Sequence, residues 1–250
     1  MTRMTRTESE ADLARIDLTC ALRSAARLNL SEGICNHFSL EVPGRPGHFL
    51  INPHGLHWSE ITPEDLVVVD AHGRQVEGKH RVEPTAFFIH GAAHRGNPQA
   101  RCVMHTHMPY ATTLTVVQGG RLEWVSQTSL KFYGRVAYDE QYSGLALDDA
   151  EGERMCANLA GADVLFLANH GVIVTGPTVA ATFDDLYYLE RCCMLQVLGQ
   201  ATGKPLRLVP DAIVKLTARQ MNGESQQAEL HLEALKRLLD KAEPDWRGGR

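Results

Sequence analysis

The sequence predicts an α/β fold in which helices pack around a mostly antiparallel sheet. Short apolar runs of strand length recur along the chain, and turns rich in Gly and Pro separate several of them. Longer segments with apolar residues at helical spacing lie between these runs. No internal repeat or linker-like change of composition interrupts the 250 residues. We therefore expect a single domain over residues 1–250, with a C-terminal helical tail over about 211–250.

The first third of the chain predicts a helix followed by an antiparallel meander. Residues 8–30 carry apolar side chains at mostly helical spacing, and a glycine follows as a stop signal. Residues 34–42 and 48–51 read as strands joined by a turn rich in Pro and Gly. Residues 66–70 (Leu-Val-Val-Val-Asp) are typical of a buried strand, which an Ala-His-Gly turn ends.

The rest of the chain alternates helices with buried strands. Residues 121–144 have no clean period and predict short strands and loops that line a site. The other predicted elements are a helix from Pro84 to Gly96, a strand at 102–104, a helix at 109–117, a helix at 148–159 capped by Asp148, strands at 164–168 and 172–175, a helix at 177–198 and mostly helix over 212–242.

Composition and charge favour a cytoplasmic protein that acts on a small molecule. The formal net charge of −5 argues against nucleic acid as the main partner, because phosphate binding needs a basic surface. No apolar run approaches the roughly 20 residues that a membrane span requires. The charged N-terminus lacks the apolar core of a signal peptide. Six scattered cysteines without a Cys-x-x-Cys pair are expected to stay reduced.

Three histidines stand at strand ends where they could share a metal ion. His105 and His107 follow a short apolar run, and side chains two apart on a strand point the same way. One packed and one solvated histidine would explain this short pattern equally well. His170 interrupts two buried strands, where Gly171 permits a tight turn, although a histidine that only caps the turn is the alternative. Three imidazoles would leave coordination positions open, as in catalytic sites.

These motifs resemble the class II aldolase/adducin family. The resemblance rests on His-Thr-His-x-Pro-Tyr at 105–110 and Asn-His-Gly at 169–171, together with further motifs in the family's order: residues 36–39, 50–55, 65–70 and 176–180. It implies a three-layer α/β/α fold and one divalent metal ion, Zn, Mn or Fe, on His105, His107 and His170. It also implies a homotetramer of fourfold symmetry with sites at subunit interfaces.

The chain departs from the family pattern in the loops that hold a sugar phosphate. Sugar-phosphate aldolases of this family use Gly-Asn-x-Ser, Thr-Pro-x-Gly and a Ser-Ser before the catalytic Glu. The corresponding segments here read Asn36-His37-Phe38-Ser39, Asn52-Pro53-His54-Gly55 and Glu83-Pro84-Thr85-Ala86. We expect an unphosphorylated substrate whose carboxylate His37, His54 or His57 binds. The alternative for each histidine is that it only bridges polar loops.

The acid/base residues of the family are also changed. Ungapped alignment places Ala86 where the aldolases carry their catalytic Glu, and Glu83 lies one helical turn earlier. Glu83 is either a replacement acid/base or a carboxylate that the helix dipole favours in the first turn. His90 and His94 share a helix face and could line the same cleft, although a purely structural role is equally consistent.

Tyr138 corresponds to a family tyrosine that gives a proton to the reacting oxygen, and Tyr142 is a neighbouring candidate that could bind substrate. Aromatic packing of the loop is the alternative for both residues. Either role depends on where these two side chains lie. The irregular pattern of residues 121–144 predicts short strands and loops but does not predict those positions.

The resemblance and its departures predict a metal-dependent carbon–carbon lyase. A decarboxylase of a hydroxy-aromatic or hydroxy-keto carboxylate fits best, because decarboxylation needs only protonation of the carbanion, with Tyr138, Glu83 or His90 as donor. The alternatives are an aldolase for a small unphosphorylated hydroxy-carbonyl compound, a non-haem iron decarboxylating oxygenase and a non-catalytic adducin-like interaction module. The three retained histidines argue against the last of these.

Overall fold

A computed structural model describes residues 9–97, 99–145, 148–224 and 226–248. Within these residues, eight strands form one sheet: β1 (His37–Glu41), β2 (His48–Ile51), β3 (Val67–Asp70), β4 (Gln75–Glu77), β5 (Cys102–Thr106), β6 (Val136–Asp139), β7 (Val164–Leu167) and β8 (Gly171–Gly176). Their order in the sheet is β4-β3-β2-β1-β5-β8-β7-β6. Only the β6–β7 pair is parallel, which confirms the predicted mostly antiparallel sheet.

Seven α-helices accompany the strands in the described residues: α1 (Glu10–Arg27), α2 (Pro84–Gly96), α3 (Pro109–Val116), α4 (Asp149–Ala157), α5 (Val179–Ala201), α6 (Asp211–Asn222) and α7 (Gln226–Ala242). The side chain of Ser9 accepts a hydrogen bond from the Asp12 amide and thereby caps the start of α1. Within the described part of the chain, no helix has the length and apolar character required to cross a bilayer.

Helices cover both faces of the sheet and make three layers, as the predicted fold class requires. Cys102 and Met104 of β5 belong to an apolar cluster that also contains buried residues of α1, α3, α5 and α7. Val103 points to the opposite face, where it packs with residues of α2 and α4 such as Ile89 and Met155. This alternation follows from the two-residue period of a strand.

The last helix, α7, packs on the same core as the first helix. Leu232 and Leu239 of α7 and the following Trp246 are buried in one cluster with Leu18 of α1. Gly223 ends α6, so two helices occupy the segment where we expected the tail. Residues 225, 249 and 250 of this tail lie outside the described residues.

The observed boundaries differ from the predicted ones where the backbone leaves regular geometry. The first helix ends at Arg27, because Asn29 adopts a positive φ of 60°. Residue 8, where we placed its start, lies outside the described residues. The strand predicted at 34–42 begins at His37, because Asn36 has a φ of 78°. The strand at 102–104 continues to Thr106, which places His105 inside the sheet.

Candidate metal centre

The histidine triad (His105, His107 and His170) converges at one end of the central strands. His105 lies in β5, His107 directly follows that strand, and His170 lies in the turn between β7 and β8. One ring nitrogen from each residue lies within 4.8 Å of the other two. The Nε2 atoms of His105 and His107 are 3.2 Å apart. The structure therefore brings together the three residues that the sequence predicted as metal ligands.

Hydrogen bonds orient the rings of His105 and His107 and leave the Nε2 atom of each ring unprotonated. His105 Nδ1 donates to the Val172 carbonyl at 3.0 Å, which leaves the lone pair of its Nε2 available. His107 Nδ1 donates to Glu32 Oε2 at 2.5 Å, with the same consequence for its own Nε2. Carbonyl and carboxylate partners of this kind orient metal-binding histidines and increase their basicity.

The third ring completes a donor set that fits a divalent metal ion. His170 Nδ1 is buried and has no hydrogen-bond partner among the described residues. Burial, followed by the nearby imidazoles, lowers the pKa of His170 to about 4 and the pKa of His105 well below its usual value. Both rings are therefore neutral near pH 7, which is the form that binds metal. The triad could hold a metal ion with these three residues.

Gly171 allows the start of β8 to approach Thr106 and His107 closely. A Cβ atom at this position would lie 2.5 Å from the Thr106 carbonyl oxygen and 2.7 Å from His107 Cδ2. Any larger residue would therefore displace either β5 or the His107 ring. The preceding Asn169 adopts a φ of 56° and donates its amide to the Thr115 carbonyl at 3.0 Å. The sequence Asn-His-Gly makes this tight turn possible.

Glu32 and Asn36 support the triad and were missed by the sequence analysis. Asn36 Oδ1 accepts the amide of Glu32 at 3.1 Å and the amide of His107 at 3.3 Å. It thus ties the loop that carries Glu32 to the histidine that Glu32 contacts. Glu32 stands alone in a polar loop after α1 and belongs to no recognisable motif. Its contact with a residue 75 positions away arises only from folding.

Glu190 of α5 supports the triad from the helical layer. Its two carboxylate oxygens accept the amides of Tyr110 and Ala111, each at 2.8 Å, at the start of α3. The residue before this helix, Met108, provides no side-chain cap. A carboxylate at a helix N-terminus is favoured by the free amides and by the helix dipole. Burial raises the pKa of Glu190.

Glu83 reaches the triad region through His37. His37 Nε2 donates to Glu83 Oε2 at 2.8 Å, and the His37 ring stacks on the His105 ring at 5.7 Å between centroids. Ala86 is buried against Ile51 and Val69, so its side chain points into the apolar core. The carboxylate that this helix supplies near the site is therefore Glu83 and not a residue at position 86.

The remaining candidates divide into two groups. His90 lies beside His37, with ring centroids 5.6 Å apart, and Tyr142 lies 6.5 Å from the His170 ring and is half exposed. Exposed His54 and His57 lie in the loop after β2, where His57 Nδ1 accepts the Ser59 amide at 3.3 Å. Among the described contacts, neither His54 nor His57 touches the triad.

Tyr138 lies in β6, away from the triad in the described contacts. Its hydroxyl accepts the Leu122 amide at 3.0 Å, and its ring stacks on Phe166 and lies 4.2 Å from the Arg121 guanidinium carbon. Burial raises the pKa of Tyr138. These contacts hold the ring in the helical layer of the core. The catalytic role expected for Tyr138 stays a prediction, as do the roles of the other residues around the triad.

A separate cavity of about 970 Å³ lies between α5, α6 and α7, and no triad residue lines it. Its cationic side chains are already paired. Lys131 contacts Asp184 and Asp185, and Arg135 contacts Asp163 and Asp185. None of the residues that the sequence marks as candidates for the site lines this cavity.

A family model described as the class II aldolase and adducin N-terminal domain matches residues 16–197. The chain belongs to this family. A crystal structure of an aldolase II superfamily protein from Pseudomonas syringae superimposes with a TM-score of 0.89 at 34% identity, covering 97% of this chain and 98% of that one. The class II aldolase fold extends over almost the whole chain.

Relatives of this class II aldolase/adducin chain include proteins named as adducins, such as alpha-adducin of Rattus norvegicus at 31% identity over 91% of this chain and 33% of the relative, and proteins with enzyme names. A putative aldolase class 2 protein, PA3430, of Pseudomonas aeruginosa is 34% identical, covering 93% of this chain and 91% of the relative. Decarboxylase NovR of Streptomyces niveus is 32% identical, covering 89% and 84%. A 4-hydroxy-3-prenylphenylpyruvate oxygenase/4-hydroxy-3-prenylbenzoate synthase of Streptomyces roseochromogenus is 30% identical, covering 89% and 82%. The last three names support an enzyme.

Proposed function

We propose that this protein is a divalent-metal-dependent carbon–carbon lyase that decarboxylates an unphosphorylated hydroxy-aromatic or hydroxy-keto carboxylate. The observation that carries the proposal is the convergence of three histidine nitrogens within 4.8 Å, beside the His37–Glu83 pair. His105, His107 and His170 would hold the ion, which we expect to be Zn²⁺, Mn²⁺ or Fe²⁺. When bound, such an ion supplies Lewis-acid stabilisation of the negative charge that develops as the bond breaks.

The residues around the triad suit a reaction that ends with protonation of carbon. In decarboxylation the bond to the carboxylate carbon breaks, carbon dioxide leaves, and the electron pair stays on the substrate. The substrate then takes one proton, which water replaces. His37 carries a proton on Nε2 that Glu83 holds at 2.8 Å, and the exposed hydroxyl of Tyr142 lies on the His170 side. These groups can hold or deliver that proton.

The loops around the triad support a substrate without phosphate. Phosphate binding in proteins commonly uses backbone amides and small hydroxyl residues, but His37 and His54 stand in two of the three loops. Exposed His54 and His57 remain our candidates for the substrate carboxylate. His37 is less suited to that role, because it already donates its Nε2 proton to Glu83. Its Nδ1, which has no described partner, then carries no proton that it could donate to a carboxylate.

Two enzymatic alternatives are supported by relatives. The relative named as an oxygenase favours a non-haem iron decarboxylating oxygenase on the same triad, and the putative aldolases favour carbon–carbon cleavage that releases an aldehyde. Imidazole binds iron as well as zinc. Oxygen uptake by anaerobically iron-loaded protein separates the first alternative from a simple decarboxylase, and aldehyde release identifies the second.

The testing experiment is a screen of hydroxy-aromatic and hydroxy-keto carboxylates with Zn²⁺, Mn²⁺ and Fe²⁺. We expect carbon dioxide release with at least one metal and a stoichiometry near one ion per chain. A His105→Ala/His107→Ala variant should lose both the metal and the activity while it keeps its circular dichroism spectrum. His72→Ala, which changes an exposed histidine, should keep both.

Two results would contradict the proposal. The first is that no substrate yields carbon dioxide with any of the metals. The second is that the double variant keeps full activity. Absence of metal binding in the intact protein would instead favour the adducin-like interaction module.

We further propose that the chain forms a homotetramer. Several large apolar side chains are exposed in the single chain, among them Val116, Val117, Leu195, Leu198 and Leu208. Leu195 and Leu198 are three residues apart on α5, and Val116 and Val117 are adjacent, so each pair exposes neighbouring apolar groups of the kind that subunit contacts bury. Light scattering coupled to gel filtration measures the mass directly. A monomer at micromolar concentration would contradict the proposal.

A further inference from the structure

Two histidines of α2 meet one serine of β1 in the layer between helix and sheet. Ser39 Oγ lies 2.6 Å from His90 Nδ1 and 2.8 Å from His94 Nε2. His94 Nδ1 lies 2.6 Å from the Ala100 carbonyl oxygen. Ser39 and His90 are each at least 97% buried. The four groups form an unbroken chain of hydrogen bonds through the interior.

These hydrogen bonds can be donated in only one direction along the series. The Ala100 carbonyl can only accept, so His94 carries its proton on Nδ1. Burial lowers the pKa of His94 to about 4, so the ring is neutral near pH 7 and its Nε2 must accept from Ser39. The single hydroxyl proton of Ser39 is then used. His90 Nδ1 must therefore donate to Ser39 Oγ. Burial lowers the pKa of His90 well below its usual value, so the ring is neutral and its Nε2 carries no proton.

This unprotonated nitrogen belongs to a ring that one imidazole, His37, separates from the triad. His90 Nε2 is buried and has no hydrogen-bond partner among the described residues. It is on the side of the ring away from Ser39, and the His90 ring meets the His37 ring edge-on at 5.6 Å. His37 in turn stacks on His105 of the triad. A buried acceptor without a donor destabilises the fold, so a donor from outside the chain is expected.

We propose that Ser39 and His94 are positioning residues that fix His90 with an unprotonated Nε2, and that this nitrogen accepts a hydrogen bond from a substrate hydroxyl group at the metal centre. The inference rests on the proposed function and narrows its substrate class. A bare ring nitrogen attracts an O–H group and repels an anion such as phosphate. The subsite therefore selects a hydroxylated substrate.

The tautomer can be tested in the metal-free protein, without any activity. Nitrogen-15 NMR of the histidine rings should show His90 protonated on Nδ1, with the resonance assigned by its loss in His90→Asn. His94→Leu should release this tautomer to a mixture, because the Ser39 hydroxyl is then free either to accept from His90 Nδ1 or to donate to it. His94→Gln should preserve it, because the amide can accept from Ser39 and donate to the Ala100 carbonyl.

Ser39→Ala and Ser39→Thr provide a second, independent pair. Removing the hydroxyl should release the His90 tautomer to a mixture, and threonine should keep the wild-type form. Ser24→Ala changes another buried serine, on α1, and should leave the His90 resonances unchanged. A proton on His90 Nε2 in the wild type, or an unchanged tautomer in His94→Leu, would overturn the positioning role of Ser39 and His94.

The hydroxyl subsite is tested with Zn²⁺-loaded protein and three small probes. We expect the His90 Nε2 resonance to move on addition of 2-hydroxybenzoate and to stay in place with 2-methoxybenzoate or inorganic phosphate. Equal responses to the hydroxy and methoxy probes, or no response to either, would overturn the acceptor role. This result is independent of turnover, so it is distinguishable from failure of the proposed decarboxylase activity.

Where turnover is established, a kinetic measurement separates positioning from folding. His94→Leu should lower kcat by about 10- to 100-fold, as removal of an orienting partner commonly does. Its KM, its zinc stoichiometry and its unfolding midpoint should change little by comparison, and His94→Gln should recover most of kcat. A wild-type kcat in His94→Leu would contradict a role in the reaction for the hydrogen bonds that join His90, Ser39 and His94.

Discussion

His37 of β1 and Glu83, the residue at the N-cap position of α2, are joined by a hydrogen bond of 2.8 Å from imidazole Nε2 to carboxylate Oε2. The two residues are 46 positions apart, and the bond connects the start of a helix to the strand next to the triad. Because His37 also stacks on His105, one imidazole connects the Glu83 carboxylate to the triad.

Glu83→Gln should lower kcat by about 10- to 100-fold while the zinc stoichiometry stays near one, because the amide can still accept from His37 but carries no charge. Steady-state kinetics and metal analysis of the purified variant measure the two quantities. Glu229→Gln, which changes an exposed carboxylate in the first turn of α7, is the matched control. Full activity of Glu83→Gln would show that the charge has no part in the reaction.

Gly171→Ala should damage the metal site more than the fold as a whole. The new Cβ would press on the Thr106 carbonyl and on His107 Cδ2, so we expect metal affinity to fall at least tenfold and stability to fall by about 1–3 kcal/mol. Titration calorimetry with Zn²⁺ and urea unfolding check the two effects. Gly223→Ala is the control, since its φ of −82° and nearest contact of 3.4 Å tolerate a methyl group. Equal zinc affinity in both variants would refute the steric argument.

The metal-free protein should lose stability as the pH falls from 7 to 5. Burial lowers the pKa of His94 and of His170 to about 4, against the ordinary value of 6.5. Over this interval the unfolded chain binds protons that the folded chain does not, so acid favours unfolding. The stability is complete above about pH 6.5 and decreases until about pH 4, by roughly 1–2 kcal/mol for each group between pH 7 and 5.

Urea unfolding at several pH values measures this dependence. His94→Gln removes one of these buried histidines, so its free energy of unfolding should decrease less between pH 7 and 5 than that of the wild type. A wild-type free energy of unfolding that is constant from pH 7 to 5 would contradict the assignment of these histidines as buried and neutral. Adding Zn²⁺ should raise the stability at pH 7 in proportion to its binding.

Glu190→Ala should destabilise the protein by about 1–3 kcal/mol, because the amides of Tyr110 and Ala111 lose a charged acceptor in a buried site. Glu190→Gln should cost less, since one amide oxygen remains to accept. Urea unfolding at pH 7 measures both. Glu233→Ala changes an exposed carboxylate of α7 and should shift the free energy by less than about 0.5 kcal/mol. Equal effects in Glu190→Ala and Glu233→Ala would exclude the capping role.

Local sequence patterns were sufficient for much of the fold. Strands such as Val164–Leu167 and helices such as Val179–Ala201 follow from apolar period, length and flanking turn residues, and the predicted elements lie within a few residues of the observed ones. Errors arose at Asn29 and Asn36, where a single residue with positive φ ends a regular element. Asparagine tolerates this conformation, but its presence does not require it.

The candidate metal ligands were likewise accessible from sequence, because His105 and His107 share a strand face and the family motifs mark His170. The sequence by itself therefore determined the fold class, the family and the triad. Only the tertiary structure decided the partners of those residues: Glu32 on His107, Glu83 on His37, and Ser39 between His90 and His94. These contacts join segments that are 46 to 75 residues apart. Local period does not encode such pairings, whereas strand register and helix docking set them.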